Sequence, residues 1–435
     1  MPSFIKLTHA LLLLSATLAI SPIASAMDLQ NHNTQDTPLV SQILTLSTPT
    51  AKDLYSNSLQ INTLPAINTR RQYTSYVSKA SNQKHFAPAR TQTSQSDQYW
   101  KTVTGAQLNQ GIDFSISQTK SIIRIAPRHE TITNLNIPDR ISPDDIIVTP
   151  KEKSTIKNPL DKPQSLIYSV VDADALATAG LNDNSSALTL SSEALPGQYR
   201  LQVTKKLPAD GRYLINVKEK HSPFQLSLNA PIAINQHAKA IRFNLDLSQS
   251  NAKLLPQVFL QNNQGKQTPL KVSSHQDHWQ AHLPDNIALS THNAGLSEIV
   301  VNIDTQVDGL PVVRTVKTAF KAFVNSAKIT DKIQIIYHNK QAQYLLLNLD
   351  IANEGRYEVS AILSGTDKSG QSQAILTTQA ASWLTLDNSQ LKLMLDPKLI
   401  QASGLKAPFT LSALELKDQS QMARLSYQAQ ALTFN

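Results

Sequence analysis

The chain has 435 residues, with 40 lysines and arginines against 32 aspartates and glutamates and a formal net charge of +8. It contains no cysteine, which excludes disulfide staples, thiolate catalysis, cysteine-ligated zinc and the lipidated N-terminal cysteine of bacterial lipoproteins. A hydrophobic content of 40% with only 17% charged residues describes a globular chain rather than a disordered one, and no dense Lys/Arg block or aromatic-basic ladder points to nucleic acid as a partner.

Residues 1–26 read as a secretory signal peptide. Lys6 gives a positive start, an apolar run extends from Leu11 to Ile20, and Ala24-Ser25-Ala26 supplies the small-x-small pattern that signal peptidase cleaves. The run is too short to span a bilayer, and nothing downstream approaches a transmembrane segment. The expectation is export by the Sec pathway to the periplasm or the medium, with the rest of the chain long enough for two to four domains at roughly 100–200 residues each.

Residues 27–95 are rich in Ser, Thr, Asn and Gln, and their apolar clusters at Ile43–Leu46 and Leu59–Leu64 lack sustained periodicity. They read as an extended polar leader whose short strands dock on the domain that follows. Within it, Arg70-Arg71-Gln72-Tyr73 reads as a solvated loop rather than a processing site or ligand contact.

From Tyr99-Trp100 onward, short period-2 segments dominate. Ile112, Phe114 and Ile116 alternate with polar residues, Ile122–Ile125 forms a second strand ended by Pro127, and Tyr199, Leu201 and Val203 alternate with Arg200, Gln202 and Thr204. Asp172 to Gly180 predicts a short capped helix. No long amphipathic helix follows the signal peptide, so the fold class is all-β.

Gly197-Gln198-Tyr199, Gly211-Arg212-Tyr213 and Gly355-Arg356-Tyr357 each open an alternating strand. The expected reasons are the unusual φ that glycine permits and a tyrosine that packs its ring with its hydroxyl near water. Ile241, Phe243, Leu245 and Leu247 mark another strand, Asn262–Gly265 a hairpin loop, and Leu296–Ile303 a further strand. The long run Val312–Val324 feeds one sandwich into the next. Strands at Tyr344–Ile351 and Tyr357–Leu363, a loop at Gly365–Gly370, a helical turn at Pro397–Ser403 ended by Gly404, and two closing strands complete the chain. These elements predict a first β-sandwich at residues 96–229, a second immunoglobulin-like module at 230–326 and a third at 327–435.

In three stretches the chain resembles exported gammaproteobacterial proteins known as a domain of unknown function. They are Tyr99-Trp100-Lys101-Thr102-Val103-Thr104-Gly105-Ala106, Gly211-Arg212-Tyr213-Leu214-Ile215-Asn216-Val217 and Ala402-Ser403-Gly404-Leu405-Lys406-Ala407-Pro408-Phe409. The resemblance covers residues 96–435 and implies three tandem immunoglobulin-like or related sandwiches, export, and release through type II secretion. It implies no activity, so it assigns no catalytic residue.

Two clusters invite chemistry. On a helix, His275, His278 and His282 would share a face and could ligate zinc. Trp279, Ala281 and Leu283 alternate with His278, Gln280 and His282, however, which is strand periodicity. It separates His278 from His282 by roughly 13 Å at about 3.3 Å per residue, against zinc–nitrogen bonds of about 2 Å. The second is Asp172 and Asp174 with Asn182-Asp183-Asn184, which could offer oxygens to calcium. Leu176 and Ala177, though, stand where an EF-hand loop needs an oxygen ligand and a glycine. Strand histidines and turn carboxylates are the favoured readings, and no metal or cofactor is expected. H-E-x-x-H, G-x-S-x-G and phosphate-binding glycine loops are all missing.

The leading functional reading is a non-catalytic binding or adhesion protein that presents loops or sheet edges to a surface glycan, an envelope component or a host protein. One alternative is a secreted hydrolase, or an accessory module of one, with a site at a domain junction. Another is a periplasmic spacer or assembly factor.

Overall fold

In a computed structural model the described residues are 39–51, 53–55, 58–62, 66–80, 90–128, 138–151, 166–284, 289 and 296–435. The segment read as a signal peptide lies outside them. Three strands come first in the chain: β1 (Val40–Thr45), β2 (Thr74–Lys79) and β3 (Thr91–Ser96). None of them pairs with the unit that follows in sequence.

That unit contains β4 (Gln98–Thr104), α1 (Gly105–Gln110), β5 (Ile112–Ile116), β6 (Ile122–Arg128), β7 (Ile146–Pro150), β8 (Ile167–Val171), α2 (Ala173–Thr178), β9 (Ser186–Leu190), β10 (Gly197–Val203) and β11 (Arg212–Lys218). A three-stranded sheet, β5-β10-β7, shares a core with a five-stranded sheet, β4-β11-β6-β9-β8. Period-2 alternation decides which side chains enter that core: Ile112, Phe114 and Ile116 point in, as do Tyr199, Leu201 and Val203. The expected helix forms as α2, with the Asp172 carboxylate accepting from the Ala175 amide at 2.8 Å. Strand β6 runs through Pro127 instead of ending at it. Its neighbour β9 pairs only with Ile122–Ile125, so β6 is an edge strand on that side at Pro127, where proline is tolerated.

The second unit contains β12 (Leu226–Pro231), β13 (Ala233–Asn235), β14 (Ala240–Leu247), β15 (Gln257–Gln261), β16 (Gln267–Ser274), β17 (Trp279–His282), β18 (Ser297–Val307) and β19 (Leu310–Phe323). With β3 they form one nine-stranded sheet in the order β13-β19-β18-β15-β16-β17-β14-β12-β3, around a single core. The β12–β3 end returns against β19, where the Gln92 side-chain amide donates to the Ala319 carbonyl at 2.5 Å.

The third unit contains β20 (Ala327–His338), β21 (Gln341–Ile351), β22 (Gly355–Thr366), β23 (Ser372–Leu384), β24 (Gln390–Met394), α3 (Pro397–Ser403), β25 (Lys406–Asp418) and β26 (Ala423–Phe434). Its two sheets, β1-β20-β21-β24 and β2-β23-β22-β25-β26, enclose the third core. Among the described residues, the leader's strands therefore pair with the second and third units and not with the first. β1 and β2 complete the third unit's two sheets, with Leu44, Leu46 and Val77 packed on its core, and β3 completes the second unit's sheet. The basic-aromatic Arg70–Tyr73 segment is an exposed loop, as expected, and it also carries docking contacts. The Arg71 guanidinium stacks 5.0 Å from the Trp383 ring centroid, and the Tyr73 hydroxyl donates to the Lys392 carbonyl at 2.8 Å.

The Gly-x-Tyr device meets the expected unusual φ only at Gly197, at φ +155°, and works differently in the other two copies. A Cβ on Gly211 would sit 3.1 Å from the Pro208 carbonyl oxygen, and one on Gly355 would sit 3.0 Å from the Ser420 hydroxyl. These two glycines therefore serve close approach. The tyrosines are fully buried, hydroxyl included. Tyr199 donates to the Leu195 carbonyl at 2.7 Å and Tyr357 to the Asn353 carbonyl at 2.8 Å, each four residues upstream. Such a bond ties a strand to the corner before it, as at the tyrosine corners of β-sandwiches. Desolvation pushes the Tyr213 phenol up to about 12.

Gly105 is the tightest position. A Cβ there would lie 2.1 Å from the Pro208 carbonyl oxygen, which is backbone and cannot swing aside. Gly105→Ala is expected to destabilise the first unit by roughly 1–3 kcal/mol. A urea midpoint identical to that of the parent chain, followed by Trp100 fluorescence, would refute this.

Candidate functional site

A cavity of about 1080 Å³ lies where the leader meets the second and third units. One wall is leader backbone, Ile67–Arg70, held by the Ile67 amide donating to the Ser420 carbonyl at 2.8 Å. A second wall is the end of β19 with the turn into β13. There the Lys321 amide donates to the Ile232 carbonyl at 3.0 Å, and the Ile232 amide donates to the Arg90 carbonyl at 3.1 Å. The third wall is the β25–β26 hairpin, residues Lys417 to Arg424. Leu54 closes one side through paired backbone bonds with Tyr427 of 2.9 and 2.8 Å.

Arg70, Arg90, Lys321, Lys417 and Arg424 supply positive charge, whereas among the described residues Glu358 and Asp418 are the only carboxylates in the lining and no histidine takes part. Between the cations lie Leu54, Ile67, Ile232, Phe323 and Met422. Met422 is 71% exposed and adopts φ +53°, a left-handed conformation that a bulky residue takes only when its surroundings impose it.

Both carboxylates are committed internally. Asp418 Oδ2 accepts from the Ser326 hydroxyl at 2.6 Å and from the Gln421 amide at 2.6 Å, and Oδ1 accepts from the Gln421 backbone at 3.1 Å. Gln421 in turn exchanges bonds with the Val324 N–H and C=O at 2.9 and 3.2 Å, which fixes the hairpin to the link between the second and third units. Glu358 accepts from the Gln419 amide and lies 3.4 Å from Lys417 Nζ. Glu415, behind the lining, pairs with Arg424 and Lys417. Burial lowers the Lys321 pKa, with the charge of Asp418 working against it.

Two further groups frame the site. The Arg356 guanidinium donates to the Arg70 and Gln72 carbonyls at 2.8 and 2.7 Å, to the Thr74 hydroxyl at 2.8 Å and to Gln419 Oε1 at 2.8 Å. It is the pin that seats the leader wall. Asp53, nearer β26, would have its pKa raised by burial. Bonds from the Thr50 and Ala429 amides, at 2.6 and 2.7 Å, and from the Thr50 hydroxyl outweigh that and hold it below the usual carboxylate value. A depressed carboxylate stabilises fully above its unfolded pKa, about 3.9, and loses that contribution as pH falls through the lower folded value. Hydrogen-exchange protection of the Ala429 amide is therefore expected to drop below about pH 4. In Asp53→Asn that drop should be absent; the same acid response in both chains would contradict the assignment.

The histidines and aspartates of the sequence reading lie elsewhere. His275 and His278 sit in the β16–β17 turn with stacked rings, centroids 4.8 Å apart. His282 ends β17, and its Nε2 lies 3.0 Å from the Ser273 hydroxyl, with His275 Nε2 3.4 Å from the same oxygen. His278 Nδ1 pairs with Asp277 at 2.7 Å. The hairpin thus gathers His275 and His282 around a serine, a cross-strand pairing that spacing along a single strand could not reveal. Asp172 caps α2, and Asp174 forms a two-point ion pair with Arg140 at 2.7 and 2.9 Å, which lowers its pKa. Asp183 pairs with Arg124 and accepts from the Ser185 hydroxyl at 2.6 Å. Among the described residues no group of three or more His, Asp or Glu is placed to hold a metal ion.

The cleft itself went unrecognised in the sequence because its walls lie up to 370 residues apart, from Leu54 to Arg424. The two local signals were the Arg70–Tyr73 cluster and Arg356, inside the third Gly-x-Tyr.

Among the described residues no helix is long and apolar enough to cross a membrane. No curated protein matches the sequence. A crystal structure of a DUF4785 family protein from Legionella pneumophila superposes with a TM-score of 0.60 at 17% identity, covering 87% of this chain and 98% of that one. The tetra-tandem repeat from the extending region of a large adhesion protein aligns at 9% identity over 78% of this chain and 74% of that one. Its TM-score of 0.16 is too low to carry an argument. Family models match residues 65–219, as the N-terminal domain of the domain of unknown function DUF4785, and residues 326–435, as its C-terminal domain. The chain thus carries the N- and C-terminal DUF4785 domains and shares the all-β fold of a DUF4785 family protein.

Proposed function

We propose that this is an exported, non-catalytic binding protein whose ligand site is the cleft between the leader, the second unit and the third. One observation carries the reading: the cleft is large and concave with mixed basic and apolar walls, yet its carboxylates are consumed in internal hydrogen bonds. Proton-transfer chemistry needs an acid or base that is free to exchange a proton with a substrate. Recognition needs only shape, apolar area and a few oriented charges. Rigid sandwiches hold such a surface with little ordering on binding. A surface glycan, an envelope component or a host protein are the ligand classes an exported protein meets.

The test is an array of glycans and envelope lipids probed with the mature protein and with Ala233→Trp, which fills the cleft from its β13 wall. Signals that disappear in the variant support the reading, and signals that persist unchanged overturn it. Cell fractionation tests export, with a processed N-terminus at Met27 in the periplasm or medium as the expected result.

A further inference from the structure

The composition of the cleft narrows its ligand, and from it we infer that the site takes an amphipathic anion: an acidic headgroup joined to an apolar chain. This deepens the binding reading and rests on it. The argument is one of complementarity. Of the five lining cations, Lys417 and Arg424 are ion-paired with Glu358 and Glu415, and the charge of Arg90 acts on Asp53. Arg70 and Lys321, by contrast, have no carboxylate within salt-bridge distance among the described residues. A concave, partly desolvated wall concentrates that field. A neutral ligand would leave it unanswered.

Lys321 is the most telling cation. It emerges from β19 into the cleft, its ammonium is penalised by burial, and the charge that offsets this, Asp418, is already committed to Ser326 and Gln421. An incoming anion would relieve that cost.

A small inorganic anion would satisfy the charges and ignore the rest of the surface. Ile67 is 52% exposed, Ile232 39% and Met422 71%, three large apolar side chains standing in water at one site. Two lie beside basic residues, Ile232 through its backbone bond to Arg90 and Ile67 three positions before Arg70. Met422 adds a flexible, polarisable side chain of the kind that accommodates acyl groups of varied shape. Apolar surface of this kind is covered by a ligand with a hydrocarbon body.

Isothermal titration of the mature chain with decyl phosphate, decyl maltoside and inorganic phosphate tests this, each amphiphile being kept below its micellar concentration. Decyl phosphate is expected to bind at least about tenfold more tightly than either of the others, the scale of one charge-assisted contact or a few buried methylenes. Lys321→Gln should weaken decyl phosphate about tenfold and leave decyl maltoside unchanged. Met422→Ser should weaken both amphiphiles, and circular dichroism confirms that each variant folds. Equal affinity for the two amphiphiles, or equal affinity for decyl phosphate and inorganic phosphate, overturns the ligand class while the cleft remains a binding site. If neither Met422→Ser nor Ala233→Trp alters binding of any probe, both the ligand class and the cleft reading fall.

Discussion

Replacing Arg314 by methionine is expected to cost the junction of the first and second units roughly 3–5 kcal/mol, the largest effect of any single substitution considered. Arg314 lies in the middle of β19, fully buried, with Glu219 1% exposed. Its Nη2 donates to Glu219 Oε2 at 2.6 Å and to Ser222 Oγ at 2.8 Å, its Nε to the Phe224 carbonyl at 2.8 Å, and its Nη1 to the Val313 carbonyl at 2.7 Å. Glu219 accepts in addition from the Ser117 amide at 2.6 Å, so one ion pair joins β5's end, the β11–β12 link and β19. An isolated pair of this kind is weak evidence for net stability, because desolvating two charges offsets their attraction. Removing one partner alone is different: it leaves an uncompensated carboxylate and several unpaired acceptors in the interior.

The cycle with Glu219→Gln separates these effects. Arg314→Met alone should lower the urea midpoint reported by Trp100, in the first unit, and by Trp279, in the second. The double variant should recover part of the loss, because the buried charge is gone. If Arg314→Met unfolds within about 1 kcal/mol of the parent, too little for a buried pair, the junction does not depend on the pair. If the double variant is no better than the single, packing rather than charge is responsible.

How much of this could be read from the chain depends on the range of the interaction. Alternation at Ile112–Ile116 and Ile241–Leu247 reports burial directly, because neighbouring side chains on a strand face opposite ways. The helix caps at Asp172 and Gly404 are equally local, and both hold. Arg314 left a usable trace, a charge at the inward position between Val312 and Val316. Its partner Glu219 could not be located, since nothing in either segment specifies the other. The docking sites of the leader strands are hidden in the sequence for the same reason. Tyr76 faces Gln379 across 303 residues, and edge pairing is set by free backbone groups, which every strand possesses alike. The cleft inherits that difficulty, because a leader placed on the first unit leaves it without a wall.

Arg356→Leu should release that wall while leaving the third unit folded. The guanidinium, 3% exposed, reaches two leader carbonyls, a leader hydroxyl and Gln419 at once. A planar fork can do this and an ammonium cannot, so Arg356→Lys should rescue little. Stranding these acceptors is expected to cost about 2–4 kcal/mol of local stability. The loss should concentrate in β2, whose register from Thr74 against Ala381 to Lys79 against Leu376 begins right after the pin. Hydrogen exchange resolves this. Thr74–Lys79 amides should lose protection by about 1.5 to 3 orders of magnitude, as about 1.4 kcal/mol per tenfold implies, while β1, held on the other sheet through β20, changes far less. Detachment would also uncover the edge of β23, a strand of 13 residues, and promote association at high protein concentration. Uniform loss of protection across the third unit would instead mean that Arg356 supports the core. Unchanged protection in β2 would mean that the strand ladder alone holds the leader, and the cleft wall with it.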